Sequence, residues 1–237
     1  MSNDFFRFKQ FTVVQERASF RVTTDSVLLG AWAQIEDAGT ILDIGTGTGL
    51  LALMAAQRSS ARIVAIEPDL DSYKQAGLNF SASQWKERIT LLNISVQEYM
   101  PDAGGGFDAI ITNPPYFIDS LLNPDLSKAR TRHTLTLTQA ELLEAAAQLL
   151  NPGGSLHLVL PVNEAERFLS LAVYYGFFCS RRRLVRPTPA QQPSRALMTL
   201  SQENGPCTEE EIVIEKGGRH IYSDEYVSLT KDFYLKF

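Results

Sequence analysis

Residues 40–54 read Thr40-Ile41-Leu42-Asp43-Ile44-Gly45-Thr46-Gly47-Thr48-Gly49-Leu50-Leu51-Ala52-Leu53-Met54. An apolar run broken by one acid passes into a glycine-rich turn, and Leu50, Leu51, Leu53 and Met54 then follow a helical period. Glycines accept positive φ and let a backbone approach a ligand closely, so the stretch reads as strand, binding turn and helix. Outward from it the pattern repeats. Further apolar runs stand at 62–66, 89–92 and 107–111, separated by helix-like stretches such as 69–82. Thr138 and Glu141 have the spacing of a capping box for a helix to about residue 150, which Asn151-Pro152-Gly153-Gly154 stops. Residues 155–160 form a fifth strand, and Asn163 with Glu166 caps a helix to about Tyr175, with Gly176 at its end. Two more strands, 177–185 and 195–202, are joined by the Pro-rich 187–193. Short buried strands alternating with helices form parallel βαβ units. The expected fold is an open, doubly wound, Rossmann-like α/β sheet with its ligand at the carboxyl ends of the strands.

The 237 residues fit a single domain, and 44% hydrophobic with 21% charged residues excludes disorder, collagen and coiled coil as the dominant state. No run approaches the ~18 apolar residues of a membrane span, and Met1–Arg7 lacks the apolar core of a secretory signal. Cys179 and Cys207 are too few for a disulfide framework or a zinc cluster. These features predict a cytoplasmic protein without metal or membrane partner, with a monomer favoured. The net charge of −5 hides a segregation. Stretches 1–21, 126–133 and 179–195 hold twelve of the 22 Lys and Arg residues and only two acids, Asp4 and Glu16. Brought together by folding, they would attract a phosphate backbone.

Glu67 closes the second apolar run, where a carboxylate can accept both hydrogen bonds of a ribose diol. Gly47-x-Gly49-x-x-Ala52 also fits a loose dinucleotide fingerprint, so a nicotinamide cofactor stays open on glycines alone. A carboxylate at Asp43 would repel a pyrophosphate but suits the ammonium of S-adenosylmethionine. That favours the methyl donor, held by Asp43, Gly45, Thr46, Gly47, Gly49 and Glu67.

The fourth apolar run ends in Thr112-Asn113-Pro114-Pro115-Tyr116. Two successive prolines fix φ and remove two amide donors, so the strand passes into a rigid extended loop. The Asn113 side-chain oxygen and the Pro114 carbonyl become a fixed pair of acceptors for both N–H bonds of an exocyclic amino or amide group. Such nitrogens are poor nucleophiles because their lone pair is delocalised. Acceptors set out of plane favour the pyramidal transition state and aim the lone pair at the methyl carbon. Asn113, Pro114 and Tyr116 are therefore the expected catalytic set, with Asn113 also bordering the cofactor and Tyr116 offering a face for a flipped base.

Asp43–Gly49, Glu67 and Asn113-Pro114-Pro115-Tyr116 together resemble the S-adenosylmethionine-dependent amino-group methyltransferases, over about residues 20–200. Arg132-His133 with the following Thr134-Leu135-Thr136-Leu137, and Thr24-Asp25-Ser26-Val27-Leu28-Leu29, resemble more narrowly the bacterial valine-tRNA adenine-37-N6 methyltransferases. The resemblance implies a mostly parallel seven-stranded sheet with a C-terminal antiparallel strand. It also implies an N-terminal extension, 1–35, covering the substrate side of a catalytic core, 36–237. Many relatives carry an acid after the third strand that meets the cofactor adenine; this chain has Ser95 there. The expected reaction is methylation of adenine N6 beside the anticodon of a valine tRNA. The same tetrapeptide also serves protein glutamine N5 and rRNA guanine N2 methylation, and the basic stretches favour RNA over a peptide.

The remaining candidates concern the RNA. Arg130, Arg132 and His133 lie in an acid-free stretch of the loop after the fourth strand. Arg181 and Arg183 alternate on one strand and would present their charges on one face. Phe5, Phe6, Phe8 and Phe11, interleaved with Arg7 and Lys9, read as a strand buried on one face in preference to an RNA-stacking arm. His157 reads as a sheet position, and His220 has no evident role.

Overall fold

The structure, a computed structural model, describes residues 4–18, 21–100, 105–114 and 137–237. In chain order the elements are β1 (Phe5–Arg7), β2 (Thr12–Val14), α1 (Thr24–Trp32), β3 (Thr40–Ile44), α2 (Leu50–Arg58), β4 (Arg62–Ile66), α3 (Leu70–Ser81), β5 (Ile89–Leu92) and β6 (Phe107–Thr112). Then follow α4 (Gln139–Leu149), β7 (Leu150–Pro161), α5 (Val162–Ala172), β8 (Phe178–Arg186), β9 (Arg195–Ser201), β10 (Thr208–Val213) and α6 (Asp224–Thr230). β1 and β2 pair with each other, and the other eight strands form one sheet in the order β10-β8-β9-β7-β6-β3-β4-β5. All its neighbours are parallel except β9, which runs against both β7 and β8.

From β3 the chain winds outward through β4 to β5, then returns to β6 on the other side of β3. The carboxyl ends of β3 and β6 therefore flank the point where the winding reverses, which is where an open α/β sheet splits into a crevice. Asp43 pairs with Ile111, so Gly45 and Asn113 stand just beyond adjacent strand ends. The strands are near-continuous apolar runs because helices cover both faces. Ile41, Ala109, Ile111 and Val159 face a core shared with α1 and α2, whereas Leu42, Ile110, Leu156 and Leu158 face one shared with α4 and α5.

Two details differ from the sequence reading. Among the described residues the sheet has eight strands where seven were expected. The additional one, β10, is Thr208-Glu209-Glu210-Glu211-Ile212-Val213, in which only Ile212 is buried, and its acids hide the strand in any apolar pattern. The antiparallel strand expected toward the C-terminus is present as β9, between β7 and β8. Finally, α5 begins at Val162 behind Pro161, with no side-chain cap, so Asn163 lies within the first turn. β7 runs directly into this helix and leaves no extended residue at 163 whose side chain could fold back. The box at Thr138 and Glu141 forms as expected, and Gly176 ends the following 3-10 turn at φ 75°.

The N-terminal phenylalanines divide by burial. Phe8 and Phe11 are buried and stack on each other with ring centroids 4.7 Å apart, while Phe5 is half exposed. The one-face reading holds. Lys9 Nζ donates to the carbonyls of Lys231 (2.6 Å) and Phe237 (2.7 Å), tying this segment to the chain's far end.

His157 on β7 is fully buried, its Nδ1 3.0 Å from Thr199 Oγ1. Burial, with the charges of Arg58 and Arg181 nearby, pushes it down to about 4. Below its usual 6.5 the unfolded chain takes up a proton that the folded chain refuses. Stability is therefore expected to fall by up to about 3 kcal/mol between pH 6.5 and 4 on this group's account. Urea midpoints of the natural protein and His157→Phe, followed over that range, should converge as the pH drops; parallel curves would refute the assignment.

Candidate active site

The β3 turn is held from below by one carboxylate. Asp43 is completely buried, and its Oδ2 accepts from Thr46 Oγ1 (2.5 Å) and from the Ala52 amide (3.0 Å) in the first turn of α2. Its Oδ1 is buried and has no partner among the described residues. Desolvation, opposed by those two hydrogen bonds and reinforced by the Glu67 charge, raises the Asp43 carboxyl to about 7. The turn itself needs its glycines: Gly45, Gly47 and Gly49 have φ of 68°, 57° and 84°. A Cβ at Gly45 would meet no heavy atom within 4 Å, so the backbone there borders open space. An orphaned buried carboxylate oxygen beside open, side-chain-free backbone fits the ammonium end of S-adenosylmethionine.

Glu67, just past β4, is nearly buried and bridges two loops. Its Oε2 accepts from the Gly47 amide (2.8 Å) and its Oε1 from the Asp69 amide (3.0 Å). Desolvation raises its carboxyl above the usual range. Each oxygen keeps a second lone pair for a ribose hydroxyl. Asn93, which the sequence reading passed over, holds Glu67 in place from behind: its Nδ2 donates to the carbonyls of Glu67 (2.8 Å) and Pro68 (3.1 Å). Its signal was a polar amide at the end of an apolar strand. Glu67→Ala is expected to weaken cofactor binding by about 1.5–3 kcal/mol, the range of charge-assisted hydrogen bonds. Calorimetric titration measures it, and an unchanged affinity would remove Glu67 from the cofactor site. Ser95 lies further along the same edge, where its Oγ donates to Glu98 Oε2 at 2.7 Å.

Asn113 stands beside the β3 turn, half-buried, with Pro114 buried behind it. Thr112 Oγ1 donates to the Ile44 carbonyl at 2.9 Å and so clamps the ends of β6 and β3 together. The Asn113 amide nitrogen donates to Ser26 Oγ at 2.7 Å. Tyr116, Arg130, Arg132 and His133 lie outside the described residues.

The arginines of β8 are matched by acids. Arg181 and Arg183 both reach Glu210 on β10, at 3.0 and 2.8 Å, and Arg181 also lies over the Trp32 ring at 4.6 Å. Arg182 pairs with Glu166 and Glu209, and Arg186 with Glu211. An arginine held between a carboxylate and an indole has little charge left to offer a phosphate. Arg181 and Arg183 share Glu210, and their expected RNA contact competes with that pairing. Arg195, at the start of β9, reaches the active edge because β9 is reversed, and there it pairs with Asp25 of α1 at 2.7 Å.

Residues 11–170 match the methyltransferase small domain. A solved structure from Agrobacterium tumefaciens, described as a predicted O-methyltransferase, superposes with a TM-score of 0.67 at 19% identity, covering 88% of this chain and 96% of that one. The fold and the site define a class I, S-adenosylmethionine-dependent methyltransferase. The chain is 43% identical over 237 residues to a Bacteroides fragilis protein and 44% identical over 242 residues to a Trichodesmium erythraeum protein, covering 100% of each pair. Both are named tRNA1(Val) (adenine(37)-N6)-methyltransferase, and the chain belongs to that family. This closes the dehydrogenase reading that the glycines alone left open.

Proposed function

We propose that the chain methylates N6 of adenine 37, beside the anticodon of a valine tRNA. The observation that carries this is end-to-end similarity to proteins named for that reaction. The side-by-side strand ends of Asp43 and Asn113 support it. S-adenosylmethionine supplies an electrophilic methyl group on a sulfonium. Asp43 would hold its ammonium, the backbone of 45–49 would border it, Glu67 would accept from its ribose hydroxyls, and Ser95 would lie toward its adenine. Asn113 Oδ1 and the Pro114 carbonyl accept the two N–H bonds of the target amino group, so its lone pair turns out of the ring plane. Tyr116 stacks on the flipped base. The new N–C bond would form as the S–CH3 bond breaks, S-adenosylhomocysteine leaving with that electron pair, and the extra proton on nitrogen would then pass to water, so no side-chain base is required. Arg130, Arg132 and His133 supply the phosphate contacts.

Incubation with labelled S-adenosylmethionine and unmodified valine tRNA, followed by nuclease digestion, should yield N6-methyladenosine. The label should be absent when position 37 is guanine. Label on guanine, or on a protein glutamine in place of tRNA, would overturn the proposal. Replacing Arg130 and Arg132 by Ala should flatten the salt dependence of tRNA binding by one or two phosphate contacts, roughly 0.7–0.9 log units per log salt for each. Cofactor affinity should not change.

A further inference from the structure

Asn113 can serve as an acceptor only if its amide faces the right way. The amide carries an oxygen at one corner and an NH2 at the other, and rotating it by half a turn would present donors to a substrate that also donates. Ser26 addresses that ambiguity. It lies 87 residues upstream, in the first turn of α1, and its Oγ is 2.7 Å from Asn113 Nδ2. The hydroxyl is itself held: the Ser26 amide donates to Thr23 Oγ1 at 3.2 Å, and the two hydroxyl oxygens are 3.1 Å apart. Either hydroxyl of the Thr23–Ser26 pair can donate; when Ser26 donates to Thr23, its lone pairs are left to accept from the Asn113 NH2. The helix that carries Ser26 is fixed on both sides, by burial of Val27 to Trp32 and by the Asp25–Arg195 ion pair.

We propose that Ser26 is a positioning residue for methyl transfer, holding the Asn113 amide with its NH2 turned to α1 and its oxygen left for the substrate amino group. This rests on Asn113 acting as proposed above. In this role Ser26 acts on the reaction through its hydrogen bond to Asn113.

The test is a double-mutant cycle read by single-turnover rates, with cofactor affinity and Tm recorded for every variant. Ser26→Ala should slow methyl transfer roughly three- to tenfold, the loss of one hydrogen bond, with KM for tRNA, cofactor affinity and Tm unchanged. Ser26→Thr, which keeps the hydroxyl, should restore the rate. In an Asn113→Ala background, Ser26→Ala should cause no further loss. Equal losses in both backgrounds, a normal rate in Ser26→Ala, or a lower Tm that tracks the rate would overturn the proposal while leaving Asn113 in place. A normal rate in Asn113→Ala alone would overturn both readings.

Discussion

Asn113→Ala is expected to lose about 10²–10³-fold in the methyl-transfer rate, the usual effect of removing one preorganised polar group from a transition state. The loss belongs to the chemical step. Before reaction the target nitrogen is flat and its N–H bonds can be satisfied by water or by the Pro114 carbonyl. As the nitrogen becomes pyramidal, the second acceptor must already be in place. Affinity for S-adenosylmethionine should stay within a few fold, because the groups around the cofactor turn are Asp43, Glu67 and backbone. Single-turnover kinetics with enzyme in excess separate this from slow release. A near-normal single-turnover rate would remove Asn113 from the mechanism.

Gly49→Ala should destabilise the fold by about 2–5 kcal/mol, from a strained backbone and an overpacked contact acting together. Gly49 caps α2 at φ 84°, in the left-handed region. A Cβ there would stand 2.4 Å from Phe80 Cε1 and 2.8 Å from Cζ, and Phe80 is a buried ring on α3 that cannot swing into solvent. Gly45→Ala is the informative control. It shares the positive φ, but its Cβ would meet no protein atom, so its smaller effect should fall on cofactor binding more than on stability. Urea unfolding and calorimetric titration of both variants make the comparison. Unchanged stability in Gly49→Ala would mean that the α2 entry is looser than its geometry requires.

The parts of this site that sequence made legible are those whose chemistry is local. The Asp43–Gly49 turn, Glu67 at a strand end and Asn113 before two prolines each declare a backbone path and a side-chain role within a few residues. The parts that stayed hidden depend on partners far along the chain. Arg181 and Arg183 look like a basic patch because the acid that meets them, Glu210, is 27–29 residues away. The same acids keep β10 out of any apolar pattern. One feature underlies both, since a cross-strand ladder of ion pairs between β8 and β10 accounts for the arginines' neighbours and for the additional strand. Ser26 escaped for the same reason, its partner being 87 residues away.

Asn79, a buried side chain on α3, joins two segments otherwise far apart in the chain. Its Oδ1 accepts from the Val14 amide at 2.9 Å, and its Nδ2 donates to the carbonyls of Val14 and Thr48, both at 2.8 Å. One amide therefore pins the β1–β2 ribbon and the cofactor turn to the same helix. Peeling the ribbon away would strand a buried polar group and loosen the support of residue 48. Opening of the N-terminus and loosening of the turn thus draw on the same hydrogen bonds. A ligand that tightens the turn should slow amide exchange in the ribbon, though it touches no residue there.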